Sequence, residues 1–135
     1  MPVSTAVRDF MSRPVITLKP DMDILEAVQI LLARRISGAP VVDKLGNLVG
    51  MLSEKDCMRV ALDAGYHGSW GGRVAEYMRP GVETVDADTS IFEIAATFLK
   101  REYRRYPVLK DNRLVGQISR RDVLQALSAL SKEQS

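Results

Sequence analysis

Leu48-Val49-Gly50-Met51-Leu52-Ser53-Glu54-Lys55-Asp56 is the stretch on which the fold turns, because the chain spells it twice. The second spelling is Leu114-Val115-Gly116-Gln117-Ile118-Ser119-Arg120-Arg121-Asp122. Each is a short apolar run around a glycine, closed by Ser-x-x-Asp. The run predicts a strand. The serine, followed three residues on by an acid, predicts that a helix begins at once.

The likeness continues outward from this stretch. Pro40-Val41 matches Pro107-Val108, and Val7-Arg8-Asp9-Phe10-Met11 matches Val74-Ala75-Glu76-Tyr77-Met78, both at an offset of 67. Thr17, Asp21, Ile24 and Glu26 return as Thr84, Asp88, Ile91 and Glu93, and one residue is lost from the second copy before Leu114. Chance similarity does not keep order and spacing over nearly a whole chain. The sequence is an internal duplication.

Both copies predict the same elements. Val15–Leu18 is a β-branched run stopped by Pro20, as a strand would be. Ile24, Ala27, Val28 and Leu31 then fall at helical spacing, as do Ile91, Ile94, Ala95 and Phe98. Asp23 with Glu26, and Ser90 with Glu93, predict capping boxes at the starts of these helices. A hairpin follows, Pro40–Val42 and Leu48–Leu52, with Gly46 in its turn. In copy two the strands are Pro107–Leu109 and Leu114–Ile118, with a turn at Asp111-Asn112. The last helix carries the stripe Val123, Leu127 and Leu130. The fold class is α/β (α+β): two pseudo-symmetric β-α-β-β-α repeats, residues 7–64 and 74–130, joined by a Gly-rich connector at 65–73. A repeat of about 60 residues does not easily bury two amphipathic helices alone. The expectation is therefore that the repeats pack sheet to sheet and leave two equivalent clefts.

A duplicated β-α-β-β-α unit with hydrophobic-Pro-Val and then Gly-hydrophobic-hydrophobic-Ser-x-x-Asp resembles the tandem cystathionine-β-synthase (CBS) domain pair, the Bateman module, of the stand-alone bacterial or archaeal type. The resemblance covers roughly residues 7–130. It implies a regulatory module that binds an adenine nucleotide or adenosyl ligand in the clefts and performs no chemistry. The ligands it implies are AMP, ADP, ATP, an NAD-type dinucleotide or an S-adenosylmethionine derivative. The ligand-binding residues carried over are Ser53 and Asp56 with Ile16, Thr17, Ala39, Pro40 and Val41 in copy one. In copy two they are Ser119 and Asp122 with Glu83, Thr84, Tyr106, Pro107 and Val108. The aspartate would accept both hydroxyls of a ribose diol, and the strand segments would sandwich the purine. Ser-x-x-Asp is equally what an ordinary helix N-terminus looks like, so capping is its competing and compatible role. The resemblance also implies a homodimer, a flat disc of four repeats, that signals ligand occupancy (energy sensing, for example) to a regulated partner protein not fused to it.

The copies differ just before hydrophobic-Pro-Val, where Ser37-Gly38 becomes Arg104-Arg105. Arginine suits bidentate phosphate contact, so Arg104 and Arg105, joined by Arg120 and Arg121, are candidate phosphate ligands of one site. The total composition excludes little by contrast. Of 135 residues, 46% are hydrophobic and 27% charged, with a net charge of +2, which is ordinary for a folded soluble chain. A basic excess lies between Lys100 and Arg121, but only Tyr103 and Tyr106 interleave it, which makes nucleic-acid binding the weakest reading. No run approaches the roughly 20 apolar residues of a membrane span. The single Cys57 cannot form an internal disulfide, in keeping with a reducing, cytoplasmic setting. Cys57 reads as a small core residue, Trp70 as a packing residue, and Met11 and Met78 as matching core contacts. His67, the one histidine, reads as a surface residue of the connector. No P-loop, dinucleotide fingerprint or metal-ligand spacing appears, so neither catalytic residues nor a metal site are expected. A structural dimerisation module without ligand is the alternative function.

Overall fold

The computed structural model describes residues 4–68 and 70–133, and it divides into two compact units. One is the contiguous segment Ile16–Val82; the other joins the residues up to Val15 to those from Glu83 onward.

In the contiguous unit the elements are α1 (Ile24–Arg34), the strands β1 (Gly38–Val42) and β2 (Leu48–Ser53), α2 (Glu54–His67) and the short α3 (Val74–Tyr77). Helix α1 buries Ile24, Ala27 and Leu31, the stripe the spacing predicts. It begins at Asp23, whose carboxylate accepts from Leu25 N at 2.8 Å. The predicted Asp23–Glu26 capping box is therefore replaced by a one-sided cap, and Ser90 caps Phe92 N in the same way. Strands β1 and β2 form an antiparallel hairpin with a bulge between Val41 and Val42. Asp43 stabilises its turn by accepting from the backbone N–H groups of Leu45 and Asn47, each at 2.9 Å. Gly46 there takes φ 85°.

The predicted strand at Val15–Leu18 shrinks to a single bridge, Leu18 beside Val41 in parallel. Leu18 donates to Pro40 O and accepts from Val42 N, both at 2.9 Å. Copy two shows why pairing stops so early. There β3 (Val85–Asp86) pairs with two residues of its neighbour, and Ala87 N continues the ladder to Leu109 O at 2.9 Å. At the matching place copy one has Pro20, which has no N–H to give.

The other unit contains a 3₁₀ turn at Val7–Asp9, then β3, α4 (Ile91–Lys100), β4 (Arg105–Lys110), β5 (Arg113–Ser119) and α5 (Arg120–Glu133). Its sheet runs β3-β4-β5. The β4–β5 turn places Asp111 and Asn112 at φ 51° and 66°, the paired left-handed conformation of a tight hairpin. Val7, Ile91, Ile94, Phe98, Val108, Ile118, Val123 and Leu130 share one core. The matching core of the contiguous unit holds Leu18, Ile24, Leu31, Val41, Leu52, Val60 and Val74, and the buried Cys57 as expected.

One reading of the connector changes. Helix α2 continues through His67 and ends on Gly68 at φ 85°, so the histidine is helical rather than part of a loop. Trp70 lines a groove of about 310 Å³ beside Leu32 and Met58.

Candidate functional site

The structure brings to the end of each hairpin a methionine that the sequence reading treated only as core, together with the residue that follows it. In the contiguous unit, Met51 and Arg79 exchange backbone hydrogen bonds of 2.9 and 2.8 Å. In the other unit Ser12 and Gln117 do the same at 2.8 and 3.0 Å. These contacts lay Met78 over Gly50 and Met11 over Gly116. A Cβ on Gly50 would stand 2.6 Å from Met78 Sδ, and one on Gly116 would run into Met11 Sδ. The glycine in each apolar run is thus the floor on which a methionine rests.

The residue after each methionine arrives at the Ser-x-x-Asp motif: Arg79 in one unit, Ser12 in the other. Both motifs are reciprocal capping boxes. In the contiguous unit Ser53 Oγ accepts from Asp56 N at 3.2 Å, and Asp56 Oδ2 accepts from Ser53 N at 2.9 Å and Ser53 Oγ at 2.8 Å. Asp56 Oδ1 faces Arg79 Nε at 3.3 Å and Arg59 Nη1 at 3.5 Å. The side chain of Asp56 is 2% exposed. In the other unit Ser119 Oγ accepts from Asp122 N at 3.0 Å and Asp122 Oδ2 accepts from Ser119 N at 2.9 Å. There the additional partner is the Ser12 hydroxyl, 3.3 Å from both carboxylate oxygens, and Asp122 is only half-buried.

The remaining expected site residues fall into two groups. Ala39, Val41 and Val108 are 0% exposed and belong to the cores of their units; Pro40 and Pro107 are buried beside them. Ile16 and Thr17 are half-buried ahead of Leu18, whereas Glu83 and Thr84 are exposed ahead of β3. Tyr106 is deeply placed. Its ring lies 5.0 Å from Phe98 and 5.5 Å from Tyr103, and it is 2% exposed. Its hydroxyl is buried without a hydrogen-bond partner, and burial pushes its pKa up from the ordinary tyrosine value. Tyr106 lines a groove of about 350 Å³ with Glu83, Thr84, Thr97 and Arg101, across which Arg101 pairs with Glu83 at 3.5 Å. Arg104, Arg105 and Arg121 are exposed. Arg104 O accepts from Arg120 N at 3.1 Å, and Arg120 Nε donates to Tyr103 O at 3.0 Å, which ties the arginine-rich step to the start of α5.

Chemically, this is an arrangement for binding. Among the described residues no cluster of three metal-ligating side chains occurs, and Cys57 is pushed toward the neutral thiol by burial and by the negative charges of Asp56 and Glu54. Sequence reasoning missed Ser12, Arg59 and Arg79. The signal for two of them was present: the match of Val7–Met11 to Val74–Met78, extended by one residue, pairs Ser12 with Arg79.

Comparison with known proteins bears out the repeat and the fold. The family model described as the CBS domain matches residues 7–63 and again 74–129. An uncharacterised protein of Methanocaldococcus jannaschii is 30% identical over 127 residues, which is 94% of this chain but 44% of that protein, so the chain spans less than half of that relative. Among solved structures, CBSX2 in complex with AMP, a CBS-pair protein of Arabidopsis thaliana, superposes with a TM-score of 0.79 at 27% identity, covering 95% of this chain and 99% of that one. The CBS domain pair of protein MJ0100, in complex with 5′-methylthioadenosine and S-adenosyl-L-methionine, gives a TM-score of 0.72 at 28% identity, covering 96% and 99%.

Proposed function

Since this chain belongs to the CBS-domain family, we propose that it is a regulatory module that binds an adenine nucleotide or related adenosyl ligand and reports its occupancy to a partner protein. It does this in the reducing cytoplasm and performs no chemistry of its own. The observation that carries the reading is Asp122: a half-buried carboxylate at the first turn of α5, fixed by Ser119 N, on the unit that presents Arg104 and Arg105. A carboxylate so placed can accept from a ribose diol, and exposed guanidinium groups supply the charge a phosphate requires. The AMP complex of CBSX2 and the adenosyl complex of the MJ0100 pair support the same class of ligand. Calorimetric titration with AMP tests it. Asp122→Ala should weaken AMP by about 10- to 150-fold, the loss of one hydrogen-bonded charged acceptor. Unchanged affinity would leave Asp122 as a helix cap only.

A second reading, assembly into a homodimer of four repeats, is favoured by apolar side chains left on the helix surfaces. Leu32, Met58 and Leu62 are exposed on α1 and α2; Leu99 and Leu124 are exposed on α4 and α5. A groove of about 580 Å³ between α4 and α5 is lined by Phe98, Leu99, Val123, Leu124 and Leu127. Helix faces this apolar suit a second copy of the chain, and the two readings are compatible.

A further inference from the structure

We propose that only one of the two Ser-x-x-Asp motifs is open to a nucleoside: Asp122 receives the ribose, while Asp56 is closed by Arg79, so the chain takes one nucleotide where its duplicated sequence offers two. The inference rests on the nucleotide-binding reading above and goes beyond it to a stoichiometry and to the residue that sets it.

The argument is a count of acceptor positions. A carboxylate offers about four lone-pair directions. At Asp56 all are committed within the contiguous unit: Ser53 N and Ser53 Oγ on Oδ2, Arg79 and Arg59 on Oδ1. A ribose diol would have to displace a guanidinium from a carboxylate that is 2% exposed, leaving Arg79 without its anion. At Asp122 the short partner is Ser119 N, and the remaining contact, at the same 3.3 Å as that of Arg79, comes from the neutral Ser12 hydroxyl, which can rotate aside where a paired guanidinium would leave its charge unmatched. Ser12 is small, uncharged and exposed. The unit holding Asp122 also holds the Tyr106 hydroxyl, buried without a hydrogen-bond partner, and the 350 Å³ groove that Tyr106 lines. The contrast turns on one position of the repeat. Arg79 and Ser12 follow matching methionines, and each is held by its own pair of backbone bonds, so the side chain at this position is what brings a charged partner to Asp56 and a neutral one to Asp122.

The test is equilibrium binding of AMP to the full chain, with stoichiometry read by calorimetry and folding followed by far-ultraviolet circular dichroism. Wild type should bind one AMP per chain, and Asp122→Ala should weaken it by about 10- to 150-fold. Arg79→Ser should create a second site, and Ser12→Arg should close the first, with at least a 10-fold loss of affinity. Two equivalents bound by wild type, or one equivalent whose affinity Asp122→Ala leaves unchanged, would overturn the inference while leaving nucleotide binding intact. Absence of AMP binding in every folded variant would overturn the nucleotide reading itself, and this inference with it. If Arg79→Ser unfolds, the wild-type stoichiometry and Asp122→Ala still decide.

Discussion

Gly50→Ala is the sharpest perturbation the fold offers, because the added methyl has nowhere to go. Its carbon would stand 2.6 Å from Met78 Sδ, 2.9 Å from Met78 Cγ and 3.0 Å from Arg79 O. The thioether can swing away, but the carbonyl cannot. Arg79 O accepts from Met51 N at 2.9 Å, one residue beyond the glycine, so relieving the clash stretches a backbone pair that fixes the segment after α3. Overpacking of this kind costs about 1–3 kcal/mol. For a unit of this size each kcal/mol lowers the melting temperature by about 4–8 °C. The expected loss is therefore about 4–24 °C in a thermal melt followed by circular dichroism. Met78→Ala in the same chain should recover part of it, since the pair shares one space and their effects should not add. Gly65→Ala is the internal control. Nothing lies within 4 Å of its Cβ position and it sits inside α2, so alanine should stabilise by about 0.5–1 kcal/mol. A Gly50→Ala protein that melts with wild type would refute the view that the glycine is a contact surface for the methionine.

Replacing Arg104 and Arg105 together by alanine should weaken AMP while leaving adenosine nearly unaffected, and the gap between the two ligands should narrow with salt, as exposed charges are screened over about 8–10 Å; equal loss of both ligands in paired titrations would assign the arginines to the fold or the base instead. Leu124→Glu combined with Leu32→Glu should convert a dimer to single chains in sedimentation velocity, since both leucines are exposed on apolar helix faces; wild type already sedimenting as a single chain at tens of micromolar would reject assembly. Asp88 is held below the usual carboxylate range by its hydrogen bond to Lys110, with Arg8 adding to the effect, and its stabilising contribution should follow the sign of that shift. A depressed folded pKa means that the unfolded chain takes up the proton first, so the contribution is present above about pH 4 and lost below it as the folded carboxylate titrates. Asp88→Asn should therefore lower the melting temperature at pH 7 and converge with the parent as the pH falls below the usual carboxylate range; a constant gap down to acid pH would contradict the assignment.

The repeat, the order of elements and the helical stripes were legible because they depend on spacing, and spacing is what a duplicated sequence displays. Ile24, Ala27 and Leu31 needed nothing but their period. Hydrogen-bond competition was less legible. Asp23 and Ser90 met the capping-box pattern yet cap from one side only, whereas Ser53–Asp56 and Ser119–Asp122 are reciprocal boxes. The length of the first strand was hidden in a missing donor, Pro20 against Ala87. At the candidate site, Ser-x-x-Asp and the paired arginines stood out by their chemistry, but the environment of each aspartate did not. Arg79 lies 23 residues from Asp56, and Ser12 lies 110 from Asp122. Contacts at such separations are set by the docking of the segments that carry Met78 and Met11, which no local pattern announces.

That docking also puts the two units on different clocks during synthesis. The segment Ile16–Val82 holds every element of its unit, including the Met78–Arg79 stretch that rests on its hairpin, so it is complete once Val82 has left the ribosome. The other unit cannot close then. Val7 and Ser12 are made early, yet their partners at Thr89 and Gln117 are made long after, on the far side in sequence of the whole segment Ile16–Val82. Loop closure over so many residues is the slow kind of contact to form. The unit carrying Asp122 is accordingly the last to acquire its shape, and Asp56 meets Arg79 before Asp122 meets Ser12.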